Sequence, residues 1–62
     1  SRKSIYYIKK LKKNSIINNN SILALRPGNG ISPMSLPKIL GKRINKDVTI
    51  NDKFEFSQLK KS

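Results

Sequence analysis

No stretch of this chain sustains the 3.6-residue periodicity of a long helix. Its apolar residues come in short runs, each closed by residues that turn the backbone. Ser4-Ile5-Tyr6-Tyr7-Ile8 is β-branched and aromatic and reads as a strand, with Tyr6 and Tyr7 on opposite faces, so that only one of them needs burial. Lys12-Lys13-Asn14-Ser15 follows as a turn, and Asn14 suits a left-handed backbone there. Ile16-Ile17 reads as a short strand, and Asn18 to Ser21 as a capped turn that brings Ile22 inward. Leu23-Ala24-Leu25 reads as a further extended piece running into Arg26-Pro27. Ser32-Pro33 has the form of a helix N-cap with proline at the first helical position, and Gly41 is the matching stop. Pro37 inside that stretch limits it to one or two short turns. Arg43-Ile44-Asn45 and Phe54-Glu55-Phe56 read as short strands, and Ser57 to Leu59 as another capped turn. The expected class is mainly β with short helical turns, in one domain spanning residues 1–62.

A domain of 62 residues buries only roughly 60% of the surface its unfolded chain exposes, so its stability is marginal without help. Cysteine and histidine are both absent, which removes disulfides, thiolate nucleophiles and Cys/His zinc sites together. The carboxylates Asp47, Asp52 and Glu55 are too few, and too close to basic residues, to form a hard-metal cage. Neither a triad nor a general acid/base pair can be assembled from this set. No apolar run is long enough for a signal peptide or a membrane span. The opening Ser1-Arg2-Lys3, with no initiator methionine, reads as a cut at a domain boundary. Lack of cysteine fits a reducing, cytoplasmic setting.

The net charge is +11, from 14 basic and 3 acidic side chains. A small basic domain is a candidate nucleic-acid-binding module, because each phosphate contact releases counterions. The competing reading is compositional: Lys far outnumbers Arg, Asn and Ile are abundant, and an AT-rich coding sequence produces that profile with no phosphate partner. The lysines are also spread along the chain rather than gathered on one predicted face. Phe54 and Phe56 share a face of their expected strand and could stack on bases, although core burial is the better reading for so small a domain.

The sequence also resembles itself at an offset of 37 residues. Lys9 to Asn14 lies over Lys46 to Asn51, Ile17 over Phe54, Asn20 over Ser57 and Ile22 over Leu59. Each unit reads apolar, turn with Asn, apolar, polar cap, apolar. Two such units related by a pseudo-two-fold would cover each other's apolar sides, with Asn14 and Asn51 at equivalent turns.

The chemically suggestive motif is Arg26-Pro27-Gly28-Asn29-Gly30. Proline confines Arg26 to an extended backbone, Pro27-Gly28 suits a type II turn, and Asn29-Gly30 adds two positions tolerant of positive φ. A guanidinium held there can hydrogen-bond a carboxylate, a phosphate or an amide carbonyl, whereas the plainer reading is a tight turn with a solvated arginine. The glycines form neither a dinucleotide fingerprint nor a P-loop, since the βαβ context and the Gly-Lys-Ser/Thr ending are missing.

At these residues the chain resembles the C-terminal antifreeze-like (SAF-type) domain of bacterial sialic acid synthases, the N-acetylneuraminate synthase family. Leu25-Arg26-Pro27-Gly28-Asn29-Gly30-Ile31-Ser32-Pro33, then Leu36-Pro37 and Ile39-Leu40-Gly41-Lys42, match that family in order and spacing. Ser1 to Tyr6 resembles its entry strand, and Lys10 to Asn14 takes the place of its Asp-Ile-Lys-Lys-Gly turn. Asn14 and Asn51 stand where the family usually has glycine, and Lys10 replaces an acidic residue that Asp47 keeps in the second unit. The resemblance implies a β-clip (pretzel) fold. It also implies a longer parent enzyme that condenses phosphoenolpyruvate with N-acetylmannosamine or a related amino sugar on a metal-dependent (β/α)8 barrel. The small domain would itself hold no cofactor, the divalent metal belonging to the barrel. It would reach across a homodimer and cover the partner's active site, with Arg26 contacting the sugar near its N-acetyl group and Pro27, Gly28, Asn29 and Gly30 shaping the loop. That role argues against nucleic acid as the partner. Type III antifreeze proteins share the fold, but here Asn18 to Ala24 is Asn-rich and flanked by lysines, unlike a flat, uncharged ice-binding face.

Overall fold

The apolar runs are too short to bury a face on their own, and the chain pairs them across long sequence separations. A computed structural model describes residues 4–25 and 31–61. Strand β1 (Ser4–Tyr7) pairs antiparallel with β2 (Ile22–Leu25), in the register Ser4–Leu25, Ile5–Ala24, Tyr6–Leu23 and Tyr7–Ile22. A 3-10 turn (Pro33–Ser35) leads into the one-turn helix α1 (Leu36–Ile39), and a second 3-10 turn spans Phe56–Gln58. Elsewhere the described chain is extended or turning, tied by the single bridges Tyr6–Lys53, Leu11–Val48, Ile16–Arg43 and Ile44–Leu59. The fold is mainly β with little helix.

Local chemistry accounts for the turns. Asn14 and Asn51 take positive φ values of 77° and 76°, the left-handed region in which Asn is tolerated. Ser32 starts the first 3-10 turn: its hydroxyl accepts from the Met34 N–H at 3.2 Å and its carbonyl from the Ser35 N–H at 2.9 Å. Pro37 falls in the first turn of α1, where no intrahelical N–H is required, so it begins the helix instead of breaking it. Gly41, at φ 88°, turns the chain away after α1 and donates its N–H to the Ile17 carbonyl at 2.8 Å. The Asn18 side chain closes the turn before β2, its Oδ1 accepting from the Asn20 N–H at 2.8 Å and the Ser21 hydroxyl at 3.1 Å.

The backbone hydrogen bonds repeat at the offset of 37. The Ile17 N–H donates to the Lys42 carbonyl at 2.8 Å, and 37 residues on in each partner, with the two units exchanged, the Phe54 N–H donates to the Ile5 carbonyl at 2.8 Å. In the same way Asn14 to Ile44 (2.9 Å) matches Asn51 to Tyr7 (2.8 Å), and Ile44 to Ser15 (3.0 Å) matches Tyr7 to Asp52 (2.9 Å). Ile8 to Ser21 (2.8 Å) matches Asn45 to Gln58 (2.7 Å). Leu11 and Val48 are each other's counterparts and bond to one another in both directions, at 3.0 and 2.9 Å. The paired units close one core of Ile5, Tyr7, Ile17, Ile22, Ile39, Ile44, Val48 and Phe54. Leu11, Ile31, Leu36, Leu40 and Leu59 pack around it. Four counterpart pairs (Tyr7 with Ile44, Ile17 with Phe54, Ile22 with Leu59, Leu11 with Val48) place both members in or against it, whereas Lys42, the counterpart of Ile5, is exposed.

Tyr7 is the buried tyrosine of its strand, while Tyr6 is half-buried. The Tyr7 hydroxyl donates to Gln58 Oε1 at 2.6 Å, and the same oxygen accepts the Glu55 N–H at 3.1 Å. Burial, reinforced by the nearby Asp52 charge, pushes the Tyr7 phenol up to about 12.

Three sequence expectations need correction. Phe54-Glu55-Phe56 is not a strand, since Phe56 opens the second 3-10 turn. The two rings therefore do not share a fate: Phe54 is fully buried and Phe56 is 43% exposed. Arg43 and Ile44 make single bridges rather than a continuous strand, and Ile16 of the expected Ile16-Ile17 strand likewise makes only one.

Candidate functional site

The loop that the sequence singles out, Arg26-Pro27-Gly28-Asn29-Gly30, lies outside the described residues. Its two stems are described. On one side β2 ends at Leu25, paired with Ser4 at the edge of the sheet. On the other, Ile31 packs against the core just before Ser32 starts the first 3-10 turn. Arg26 thus directly follows a hydrogen-bonded strand, and the loop returns within a few residues to an anchored apolar side chain. Met34, two residues into the turn that follows Ser32, is 89% exposed.

The described residues bring together a second feature that the sequence reading missed. Lys42, Lys60 and Lys61, which with Arg43 line one open depression, also line a groove with Asn45 and Phe56, and no carboxylate among the described residues lines either. The paired segments that carry them are held by the Ile44–Leu59 bridge and by the Lys60 N–H donating to the Arg43 carbonyl at 2.7 Å. The Arg43 guanidinium donates to the Asn14 carbonyl at 2.8 Å, and Lys60 Nζ to Asn14 Oδ1 at 2.9 Å. Asn45 Nδ2 donates to the Ser57 carbonyl at 2.8 Å, fixing the far wall. Phe56 stands edge-on to buried Phe54, with ring centroids 5.4 Å apart and planes at 80°. Its ring therefore packs on the core while the residue stays 43% exposed.

Two of the three carboxylates accept backbone N–H groups. Asp47 Oδ1 accepts the Lys13 N–H at 2.8 Å and Asp52 Oδ2 accepts the Thr49 N–H at 3.0 Å, while Glu55 precedes the second 3-10 turn. Among the described residues no group of three or more His, Cys, Asp or Glu is placed to hold a metal ion. No helix among them is long and apolar enough to cross a membrane.

Lys42, Arg43, Lys60 and Lys61 gather here, while the other basic side chains are spread along the chain. The signal was present in the internal repeat: at the offset of 37, Lys42 and Arg43 fall on Ile5 and Tyr6, and Lys60 and Lys61 fall on Leu23 and Ala24. Where the first unit builds an apolar strand pair, the second carries four cations.

The sequence matches no known family model, and no curated protein is similar enough to count as a relative.

Proposed function

We propose that this chain is an antifreeze-like, β-clip domain that caps the active site of a sialic acid synthase. In this reading Arg26 is the residue that reaches the amino sugar. The observation that carries it is the placement of the Arg26 stem in a twice-repeated fold. Two units exchange their hydrogen bonds at an offset of 37, both turn at a left-handed Asn, and Arg26 is the residue after β2. The order Arg-Pro-Gly-Asn-Gly-Ile-Ser-Pro supports the same reading.

A guanidinium is suited to that task. It keeps its charge at any working pH, presents several donors in one plane, and can hold an amide carbonyl or a hydroxyl pair without taking part in bond making. Proline after an arginine narrows the backbone choices of that arginine, which lowers the cost of ordering it on a ligand. Condensation of phosphoenolpyruvate with N-acetylmannosamine or a related amino sugar would occur on a (β/α)8 barrel supplied by the partner subunit of a cytoplasmic homodimer. The divalent metal would be held on that barrel. The part of this domain is to bind the sugar's N-acetyl end and to exclude water from the partner's site.

The test is made in the whole parent enzyme. Arg26→Ala should raise the KM for the amino sugar at least tenfold and leave phosphoenolpyruvate binding nearly unchanged. Equal loss for both substrates, or a parent protein without a barrel-sized domain, would remove the reading. A nucleic-acid-binding role has one observation in its favour, the basic groove, and that groove has its own argument.

A further inference from the structure

The groove of Lys42, Arg43, Lys60 and Lys61 is poorly explained by folding alone. The Ile44–Leu59 bridge, one of whose bonds runs from the Lys60 N–H to the Arg43 carbonyl, brings Arg43 and Lys60 together, with Lys42 and Lys61 the next residue along each segment. Like charges held close together on neighbouring segments repel and are destabilising. The first unit has Ile5, Tyr6, Leu23 and Ala24 at these places, so the repeated pattern does not call for cations there. Arg43 and Lys60 recover part of the cost through their bonds to Asn14, whereas Lys42 and Lys61 are exposed along the groove. Such a cluster favours an anionic ligand that no described carboxylate supplies at the groove.

The shape and the ring narrow the choice. An open groove holds a small anion weakly, because few donors converge on one point, whereas a chain of phosphates can meet successive cations along it. Phe56 adds a partly exposed aromatic ring packed against Phe54, and such a ring beside cations is the arrangement on which unpaired bases stack. Bases of a duplex are already stacked on one another and do not offer their faces. We propose that this groove binds single-stranded nucleic acid, with Lys42, Lys60 and Lys61 meeting phosphates and one base stacking on Phe56. The inference does not depend on the capping role of Arg26.

The test is fluorescence anisotropy of the whole natural chain with labelled 12-mer oligo-dT and oligo-U at about 50 mM salt, repeated at rising salt. Binding should weaken with a log–log slope of about 0.7 per phosphate contact. Lys42→Gln with Lys61→Gln should lower affinity at least tenfold and reduce the slope by about 1.4. Phe56→Leu keeps an apolar contact with Phe54 but removes the stacking face, and should weaken binding roughly 5- to 100-fold. An abasic strand of equal length should bind more weakly and be indifferent to Phe56→Leu. Circular dichroism of each variant separates loss of binding from loss of fold; if Phe56→Leu unfolds the chain, the lysine pair and the abasic strand still decide. No binding at about 50 mM salt overturns the proposal. So does polyglutamate of equal charge binding as tightly as the oligonucleotides, or abasic and normal strands binding alike.

Discussion

Asn14 and Asn51 adopt the same left-handed backbone, at φ 77° and 76°, and each donates its N–H to the other unit, Asn14 to Ile44 and Asn51 to Tyr7. Their positions 37 residues apart make them one structural solution used twice. In each case the turn must reverse the chain tightly enough to deliver that N–H, and a positive φ makes the reversal.

Asn51 is the cleaner of the two to test, since Asn14 also receives the Arg43 and Lys60 side chains. A Cβ-bearing residue without Asn's local hydrogen bonding pays about 1–2 kcal/mol in this conformation. Asn51→Ala should therefore lower stability by about that amount, while Asn51→Gly should match or exceed the parent. Thermal denaturation of the three proteins decides it; equal midpoints for Ala and Gly would contradict the strain argument.

Phe54 should be the least replaceable side chain in the core. It is fully buried, packs between Tyr7 and Phe56 with ring centroids 6.1 and 5.4 Å away, and its N–H ties the second unit to Ile5. Phe54→Ala should cost about 3–5 kcal/mol, as large-to-small aromatic changes do. Its counterpart Ile17→Ala should cost about 2–5 kcal/mol. Domains of this size have little stability to spare, so either variant should lose its cooperative melting transition. A sharp melt within a few degrees of the parent would contradict the assigned packing.

The burial of the Tyr7 phenol, beside the Asp52 charge, predicts an alkaline weakness. The phenol ionises near 10 in the unfolded chain and is pushed up to about 12 in the fold. Folding therefore favours the neutral form, and the stability this contributes is present below pH 10 and is lost as pH rises from about 10 through 12. Tyr7→Phe should cost about 1 kcal/mol at neutral pH through the lost hydrogen bond. It should also flatten the decline above pH 10. Urea denaturation of both proteins from pH 7 to 11.5 measures this. Parallel pH profiles would show that Tyr7 does not carry the effect.

Arg26→Lys separates charge from geometry in the proposed sugar contact. Lysine keeps the cation but lacks the planar fork of donors. In the parent enzyme it should recover less than a tenth of the amino-sugar kcat/KM lost in Arg26→Ala. Steady-state kinetics with varied amino sugar tests this, and full recovery by lysine would mean that only the positive charge matters.

Much of the chain's punctuation was legible in the residues themselves. Asn14, Asn51, Ser32-Pro33 and Gly41 act through their own backbone preferences, which need no distant partner, and each turns the chain where expected. The offset of 37 was readable for the same reason, because two units with the same turn chemistry leave the same pattern. Tertiary pairing decided the rest. Whether Phe54 or Phe56 entered the core depended on the Ile5 carbonyl that takes the Phe54 N–H, a partner almost a whole chain away. The gathering of Lys42, Arg43, Lys60 and Lys61 depended on the Ile44–Leu59 bridge, which sets two separately unremarkable basic segments side by side. Turn preferences are local energies and can be read along a sequence. A binding surface is made by long-range pairing, and only the folded chain brings its charges together.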